Sequence, residues 1–299
     1  SGVAKSFGAV KALTDAKLTL SKGQVVALMG ANGAGKSTFV KILTGALKPT
    51  AGRVLVRGQE ARVGSPADAR RSGLVPVYQE PSLIPDLNVA DNLTLSDTPV
   101  QAFRNWVEEL GIESLKLTDM ISDLPLATLR ILDLARALAA QPDVLLLDEM
   151  TAALPTDLVE NVLKTVRKQA DAGMGVIYVS HRFTEISDLC DSATVLRDGR
   201  TVGELPIELG VEDRAVELML GTKLDLGKRD TGVALRSEGT PQLAARGLAS
   251  APKLSDVSFD LFPGEVLGVV ALEGQGQDEL FDVLAGIAPP TGGTLSVDN

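Results

Sequence analysis

The chain has 299 residues, of which 44% are hydrophobic, 23% are charged and 3% are aromatic, so we expect one large or two ordinary domains with mainly aliphatic cores. Its formal charge of −10 argues against nucleic acid or a bare membrane surface as the main partner, because phosphates and anionic headgroups would be repelled. The single cysteine, Cys190, can form no internal disulfide, and no apolar run approaches the roughly 20 residues that span a bilayer, so the sequence predicts a cytosolic chain.

Apolar patterning predicts strands and helices in alternation. Short apolar runs with polar or glycine-containing ends predict buried strands at 25–29, 144–147 and 176–179. Helical spacing of apolar residues is found at 89–95, 102–110, 129–140 and 158–172. This alternation predicts the α/β class with a largely parallel sheet.

The glycine-rich segment 30–37 follows the first of these strands and opens a helix near Gly35. Its glycines allow backbone N–H groups to converge on phosphates, Lys36 can reach the β and γ oxygens, and Ser37 can offer its hydroxyl to Mg²⁺. The alternative is a glycine turn with an incidental lysine. The strand-loop-helix context favours a P-loop that binds ATP and Mg²⁺, and its candidate residues are Gly30, Asn32, Gly33, Ala34, Gly35, Lys36, Ser37 and Thr38.

Polar residues that follow predicted strands supply the other candidates. Gln79 could contact Mg²⁺ or water, or be a solvated loop residue. Asp148 and Glu149 end a strand as a metal-binding and a water-activating carboxylate would, although a solvated strand end is the alternative. His181, the single histidine, is a site candidate because open α/β sheets gather ligands at strand ends, although a lone histidine is more often structural. Phe7 could stack on adenine or fill the core.

The latter part of the chain repeats its beginning. A shift of 241 positions superposes Gly23 on Gly264, Gly35 on Gly276 and Gly52 on Gly293. The domain prediction is therefore a first nucleotide-binding domain at 1–221 with a helical insertion at about 81–140, a polar linker at 222–241, and the start of a second, truncated domain at 242–299.

In their order and spacing, Phe7, the loop 30–38, Gln79, Asp148-Glu149 and Ser180-His181 resemble ATP-binding cassette ATPases. Further phrases resemble the subfamily whose two cassettes on one chain drive import of ribose-like sugars; these are Tyr78-Gln79-Glu80-Pro81, Leu83-Ile84-Pro85, Val179-Ser180-His181-Arg182, Glu185-Ile186 and Leu196-Arg197-Asp198-Gly199-Arg200. The resemblance implies a cassette with an antiparallel N-terminal β subdomain and an inserted helical subdomain.

The resemblance also implies a role for each candidate residue. Phe7 would stack on adenine, and Lys36 and the loop amides would hold phosphates. Ser37, Gln79 and Asp148 would surround Mg²⁺. Glu149 would polarise the attacking water, and His181 would contact the γ-phosphate.

The partners implied by the resemblance are a membrane permease, which would dock near the Gln79 loop, an external solute-binding protein, and the second cassette or a second copy. No nucleic acid is expected. The chain would then lie peripherally on the cytoplasmic face of the membrane.

Departures from the family pattern predict two unequal nucleotide sites. The family signature, Leu-Ser-Gly-Gly-Gln or a near variant, is replaced by Leu-Pro-Leu-Ala-Thr at 124–128, and Met150 stands where the family has proline. In the repeat, Gln277 replaces Lys36 and Asp278 replaces Ser37. In a cassette dimer each ATP lies between one domain's loop and the other domain's signature. Both losses would then fall in one composite site, leaving one hydrolytic site.

Two other functions stay open at the level of sequence. One is a soluble tandem-cassette ATPase that acts on ribosomes or DNA, against which the negative charge counts. The other is a nucleotide-binding regulatory module with little hydrolysis, against which the presence of Glu149 and His181 counts. The leading prediction is an ATP-hydrolysing subunit of a sugar importer.

Overall fold

The computed structural model describes residues 2–61, 63–152, 154–208, 210–222, 240–271 and 275–297. The chain divides into two compact units, Ser1–Leu224 and Asp225–Asn299. Of the linker predicted at 222–241, the stretch 223–239 lies outside the described residues. Within the described ranges, no helix combines the length and apolar character needed to cross a membrane.

The first unit alternates strands and helices, as the apolar patterning predicts. Its described strands are β1 (Val3–Phe7), β2 (Val10–Ala16), β3 (Val25–Met29), β4 (Leu55–Val56), β5 (Gln59–Glu60), β6 (Leu74–Val77), β7 (Val144–Asp148), β8 (Gly175–Val179), β9 (Ser192–Arg197) and β10 (Arg200–Pro206). Its described helices are α1 (Lys36–Leu43), α2 (Pro66–Arg71), α3 (Val89–Leu95), α4 (Val100–Glu109), α5 (Leu126–Ala139), α6 (Thr156–Asp171), α7 (Phe183–Leu189) and α8 (Val211–Leu220).

Eight of these strands form one sheet in the order β1-β2-β10-β9-β3-β8-β7-β6. The pairs β9/β3, β3/β8, β8/β7 and β7/β6 are parallel, whereas β1/β2 and β9/β10 are antiparallel hairpins. The predicted α/β class, with a mostly parallel sheet and an antiparallel N-terminal part, is confirmed. Because the central strands are parallel, the residues that follow β3, β6, β7 and β8 emerge at one edge.

Both faces of the sheet are packed. In β7, Leu145 and Leu147 belong to the hydrophobic cluster on one face, together with residues of α5 and α6. Leu146 belongs to the cluster on the other face, together with Phe39 and Ile42 of α1. This alternation within a continuous apolar run is characteristic of a strand that is buried on both sides.

Helices occupy most of the segment between β6 and β7, where the sequence predicts an insertion. They are α3, α4, a 3-10 turn at Ile121–Asp123, and α5. The helix α5 begins at Leu126, after Pro125 at the N-cap. It therefore starts three residues earlier than predicted, because the N-cap proline has no N–H and its fixed φ of −58° suits a helix entry.

The second unit contains β11 (Leu243–Ser250), β12 (Leu254–Leu261), α9 (Gln277–Leu284) and β13 (Gly292–Val297). The 241-residue shift superposes α1 on α9, and the N-cap residues Gly35 and Gly276 have φ angles of 104° and 99°. The run at 266–270, which aligns with the buried β3, is not a strand here, and Val266 is 96% exposed. In the first unit β3 is buried because β8 and β9 pair with it, and the described part of the second unit has no corresponding strands.

Candidate nucleotide-binding site

The glycine-rich loop adopts backbone angles that favour glycine. Gly30, Gly33 and Gly35 have φ angles of 154°, 82° and 104°. A Cβ atom on Gly35 would lie 2.7 Å from the Leu13 Cδ2 atom. Contacts shorter than 3.0 Å are essentially never made by real Cβ atoms, so glycine at position 35 allows the loop to approach β2 closely.

Lys36 begins α1 and its side chain turns back into the loop. Its Nζ atom donates hydrogen bonds to the backbone oxygens of Gly30 at 2.6 Å and Ala31 at 3.2 Å. Burial lowers the pKa of Lys36, and the carboxylates of Glu149 and Asp148 partly oppose this shift. The ammonium group therefore lies where the loop, the helix N-terminus and two acids meet.

A cavity of about 670 Å³ opens beside the loop, within the range of about 300–1,000 Å³ that is usual for small-molecule sites. Residues predicted from three separate segments line this cavity. They are Asn32, Gly33, Gly35, Lys36, Ser37, Thr38, Gln79, Asp148 and Glu149. Three further candidates, Gly30, Ala34 and His181, lie next to lining residues in the loop or, for His181, beside Glu149.

The two acids at the end of β7 occupy different environments. Asp148 is its last residue, and burial raises the pKa of this carboxyl group, with a further rise from Glu149 and opposition from Lys36 and Lys41. Glu149 follows with a φ of 49°, a left-handed conformation that is uncommon for a residue other than glycine. Its backbone N–H donates to Val179 O of β8 at 2.9 Å. Such strained positions concentrate at functional sites.

His181 follows β8, the neighbour of β7. Its Nδ1 atom lies 3.6 Å from Glu149 Oε1, and 70% of its side chain is exposed. Asp148 is in register with Val179 in the parallel pair. The sheet therefore places the single histidine beside the candidate water-activating acid.

Phe7 lies at the end of β1 and is half exposed, with the Lys5 Nζ atom 5.2 Å from its ring centre. It pairs with Val10 of β2, which lines the cavity, whereas the described lining does not include Phe7 itself. Its exposure argues against the core position considered for it from sequence. A role in stacking on adenine stays a prediction.

Sequence reasoning missed two groups of lining residues. One is Val10, Lys11 and Ala12 of β2, and the other is the turn Asp198-Gly199; Val179, at the end of the predicted strand β8, completes the lining. The turn supports the loop, because Gly199 N donates to Ala34 O at 3.1 Å. The basic residue Lys11, shortly after Phe7, is the one local signal that could have indicated the first group.

The donor set fits Mg²⁺. A hydroxyl, an amide and a carboxylate, from Ser37, Gln79 and Asp148, line the same cavity. Mg²⁺ prefers such hard oxygen donors and is usually bound by one or two carboxylates together with substrate phosphates and water. Ser37, Gln79 and Asp148 are thus the residues that would hold the ion.

Comparisons with known proteins indicate the family of the chain. The family model for ABC transporters matches residues 13–152. The ribose import ATP-binding protein RbsA 1 of Rhizobium johnstonii is 38% identical over 99% of this chain and 60% of its own length. RbsA of Cereibacter sphaeroides is also 38% identical, over 99% of this chain and 61% of its own length. The chain thus spans about three fifths of the length of the curated relatives it matches.

Solved structures share the fold. A nucleotide-free ATP-binding cassette from an ABC transporter has a TM-score of 0.64 and 23% identity, covering 73% of this chain and 96% of its own. A dimeric cassette bound to ADP and Pi in a post-hydrolysis state has a TM-score of 0.62 and 24% identity, covering 69% of this chain and 97% of its own. These structures show the fold alone. The family model and the relatives at 38% identity show that the chain belongs to the ATP-binding cassette family of ABC transporters.

Proposed function

We propose that the chain binds ATP with Mg²⁺ in the 670 Å³ cavity, hydrolyses it, and couples this reaction to the import of a simple sugar. The observation that carries the proposal is the meeting of Lys36, Gln79, Asp148 and Glu149 in one wall, with His181 beside Glu149. A cation for phosphates, oxygen donors for a metal and a positioned base are the parts that phosphoryl transfer to water requires.

Each residue has a role in this proposal. Lys36 and the loop amides hold the phosphates. Ser37, Gln79 and Asp148 would hold Mg²⁺, which would supply charge neutralisation for phosphoryl transfer. Glu149 accepts a proton from the attacking water, and His181 donates a hydrogen bond to the γ-phosphate. Phe7 stacks on the adenine ring.

The proposed solute and membrane partner are inferred from the relatives, whose names describe ribose import. By analogy, a permease that spans the membrane receives the motion of the cassette, and an external solute-binding protein delivers the sugar. The chain then works at the cytoplasmic face of the membrane. A second cassette, in the same protein or in a second copy, closes over the nucleotide.

Three measurements test the proposal. Calorimetric titration with ATP should show binding that is weakened by EDTA, because the metal and the cavity hold the phosphates together. Phosphate release should depend on Mg²⁺. If the neighbouring gene encodes a polytopic permease, co-expression with it should give a complex with higher ATPase activity. A chain that binds no ATP in the presence of Mg²⁺ would contradict the proposal.

A further inference from the structure

We propose that Glu185 is a positioning residue that holds the segments carrying Glu149 and His181 together at the edge of the cavity. Glu185 lies in α7, it is 4% exposed, and the cavity lining does not include it among the described residues. The inference rests on the proposed function, since it assigns a support to the two groups that would act on water and the γ-phosphate.

The carboxylate of Glu185 receives four side-chain hydrogen bonds. Its Oε2 atom accepts from Tyr178 OH at 2.6 Å, Thr151 Oγ1 at 2.9 Å and Ser180 Oγ at 3.1 Å. Its Oε1 atom accepts from Arg182 Nη1 at 3.0 Å. A buried carboxylate is stable only when such donors replace water.

The donors come from the two segments that carry the site. Thr151 follows Glu149 by two residues, and Ser180 and Arg182 stand on either side of His181. In addition, Arg182 N donates to Ser180 Oγ at 3.1 Å, which folds the histidine segment into a tight turn. One carboxylate therefore contacts the chain before and after His181 and the chain after Glu149.

The charge of Glu185 contributes to this arrangement. Burial acts to raise its pKa, but the hydrogen bonds from Tyr178, Thr151, Arg182 and Ser180 together outweigh burial, so the pKa lies below the ordinary value of 4.5. The ionised form can accept bonds from all four donors at once. Hydrogen bonds to a charged acceptor are shorter and stronger than neutral ones, which makes the contact rigid.

Glu149 and His181 both lie beyond the paired part of β7 and β8, which ends at Asp148 and Val179. The backbone bond from Glu149 N to Val179 O is one direct link, and Glu149 is held in a left-handed conformation. The side chain of His181 is mostly exposed. Strained residues persist where the surroundings over-determine them, and Glu185 supplies part of that surrounding.

The single histidine allows a direct test. When the chain carries histidine labelled with ¹³C at Cε1 alone, the ring gives one ¹H–¹³C NMR signal, which belongs to His181. Because Glu149 Oε1 lies 3.6 Å from this ring, Glu149→Gln should move the signal. In a Glu185→Gln background the same substitution should move it less than about half as far, since the pair is no longer held together. Thr151→Val, which removes the link to the Glu149 segment alone, should reduce the response in the same way.

Asp188→Asn is the matched control, because it removes a negative charge from the same helix, α7, at an exposed position. In the Asp188→Asn background, Glu149→Gln should shift the His181 signal as far as it does in the parent chain. Thermal unfolding verifies that each variant is folded. If Glu185→Gln does not fold, the shift of the His181 signal in the Thr151→Val background tests the proposal instead. An undiminished response in the folded variants would overturn the proposal.

Hydrolysis provides the second readout. Glu185→Gln should lower kcat by about 10–100-fold, because small displacements of catalytic groups are costly, while calorimetric affinity for ATP changes by less than about twofold. An equal loss of affinity and turnover would indicate a general structural role and overturn the proposal. If the unsubstituted chain binds no ATP, the proposed function fails, whereas the NMR comparison still decides whether Glu185 holds the pair.

Discussion

The Nδ1 atom of His181 lies 3.6 Å from the Oε1 atom of Glu149, although 32 positions separate the two residues in the chain. The parallel strands β7 and β8 bring them together, because Asp148 is in register with Val179, Glu149 directly follows β7, and His181 lies two residues beyond the end of β8. The proposed base and the proposed γ-phosphate ligand are thus neighbours on one sheet edge.

Lys36→Ala should weaken ATP binding by about 10–150-fold, because hydrogen bonds to a charged group contribute about 1.5–3 kcal/mol. Calorimetric titration with ATP and Mg²⁺ measures this change. Gln277→Ala is the matched control, because this residue occupies the same position at the start of α9 and carries no charge. Affinity that is unchanged in Lys36→Ala, or is lost equally in Gln277→Ala, would show that the loop 30–37 is not the main nucleotide site.

Glu149→Gln should slow hydrolysis by about 10²–10⁴-fold with little effect on ATP affinity, because a positioned general base acts in the transition state. Single-turnover phosphate release and calorimetry measure the two quantities separately. Glu160→Gln on the exposed side of α6 serves as a control for loss of charge. A Glu149→Gln variant that hydrolyses ATP at the parental rate would remove Glu149 from the mechanism.

Asp148→Asn should raise the thermal stability of the nucleotide-free chain at about pH 7, by about 2–4 °C in Tm for each kcal/mol regained. Burial, and next the carboxylate of Glu149, raises the pKa of Asp148 above 3.8, so the folded state disfavours its ionised form. Stability is therefore lost as pH rises from the ordinary aspartate range through the raised pKa. Asparagine removes this penalty.

The advantage of Asp148→Asn should shrink as the pH falls toward about 4, where both states of the chain are increasingly protonated. Thermal unfolding in EDTA across this range tests the sign. Asp86→Asn, at an exposed position, should leave Tm nearly unchanged. A lower Tm of Asp148→Asn at neutral pH would indicate that Asp148 stabilises the empty site.

Gly35→Ala should destabilise the chain more than Gly33→Ala. Both positions have positive φ, which costs about 1 kcal/mol for alanine. At Gly35 the new Cβ atom would also lie 2.7 Å from Leu13 Cδ2 and 2.9 Å from Ala12 O, whereas at Gly33 nothing lies within 4 Å. Denaturant unfolding measures both variants, and equal losses would contradict the close packing of the loop against β2.

The local pattern of the sequence determined the alternation of strands and helices, three of the buried strands and much of the cavity lining. A glycine-rich loop between an apolar strand and a helix is typical of a phosphate-binding loop, and an acidic pair at the end of an apolar run is typical of a metal and water site. Each of these two patterns is carried by residues adjacent in the chain, so the sequence alone reveals it. The predicted start of α5 was three residues late, because Pro125 at the N-cap starts the helix at Leu126, ahead of the apolar spacing from Leu129.

The tertiary structure decided what depends on strand order. Lys11 and Asp198 line the cavity because β2 and the β9–β10 turn lie beside the loop, a proximity that no local pattern contains. Glu185 resembles an ordinary helix-surface acid in the sequence. Its partners lie up to 34 positions away, and they meet its carboxylate because β7, β8 and α7 pack together. Sequence periodicity determines which face of a helix or strand is apolar, whereas long-range packing determines which polar side chains form hydrogen bonds to the same buried group.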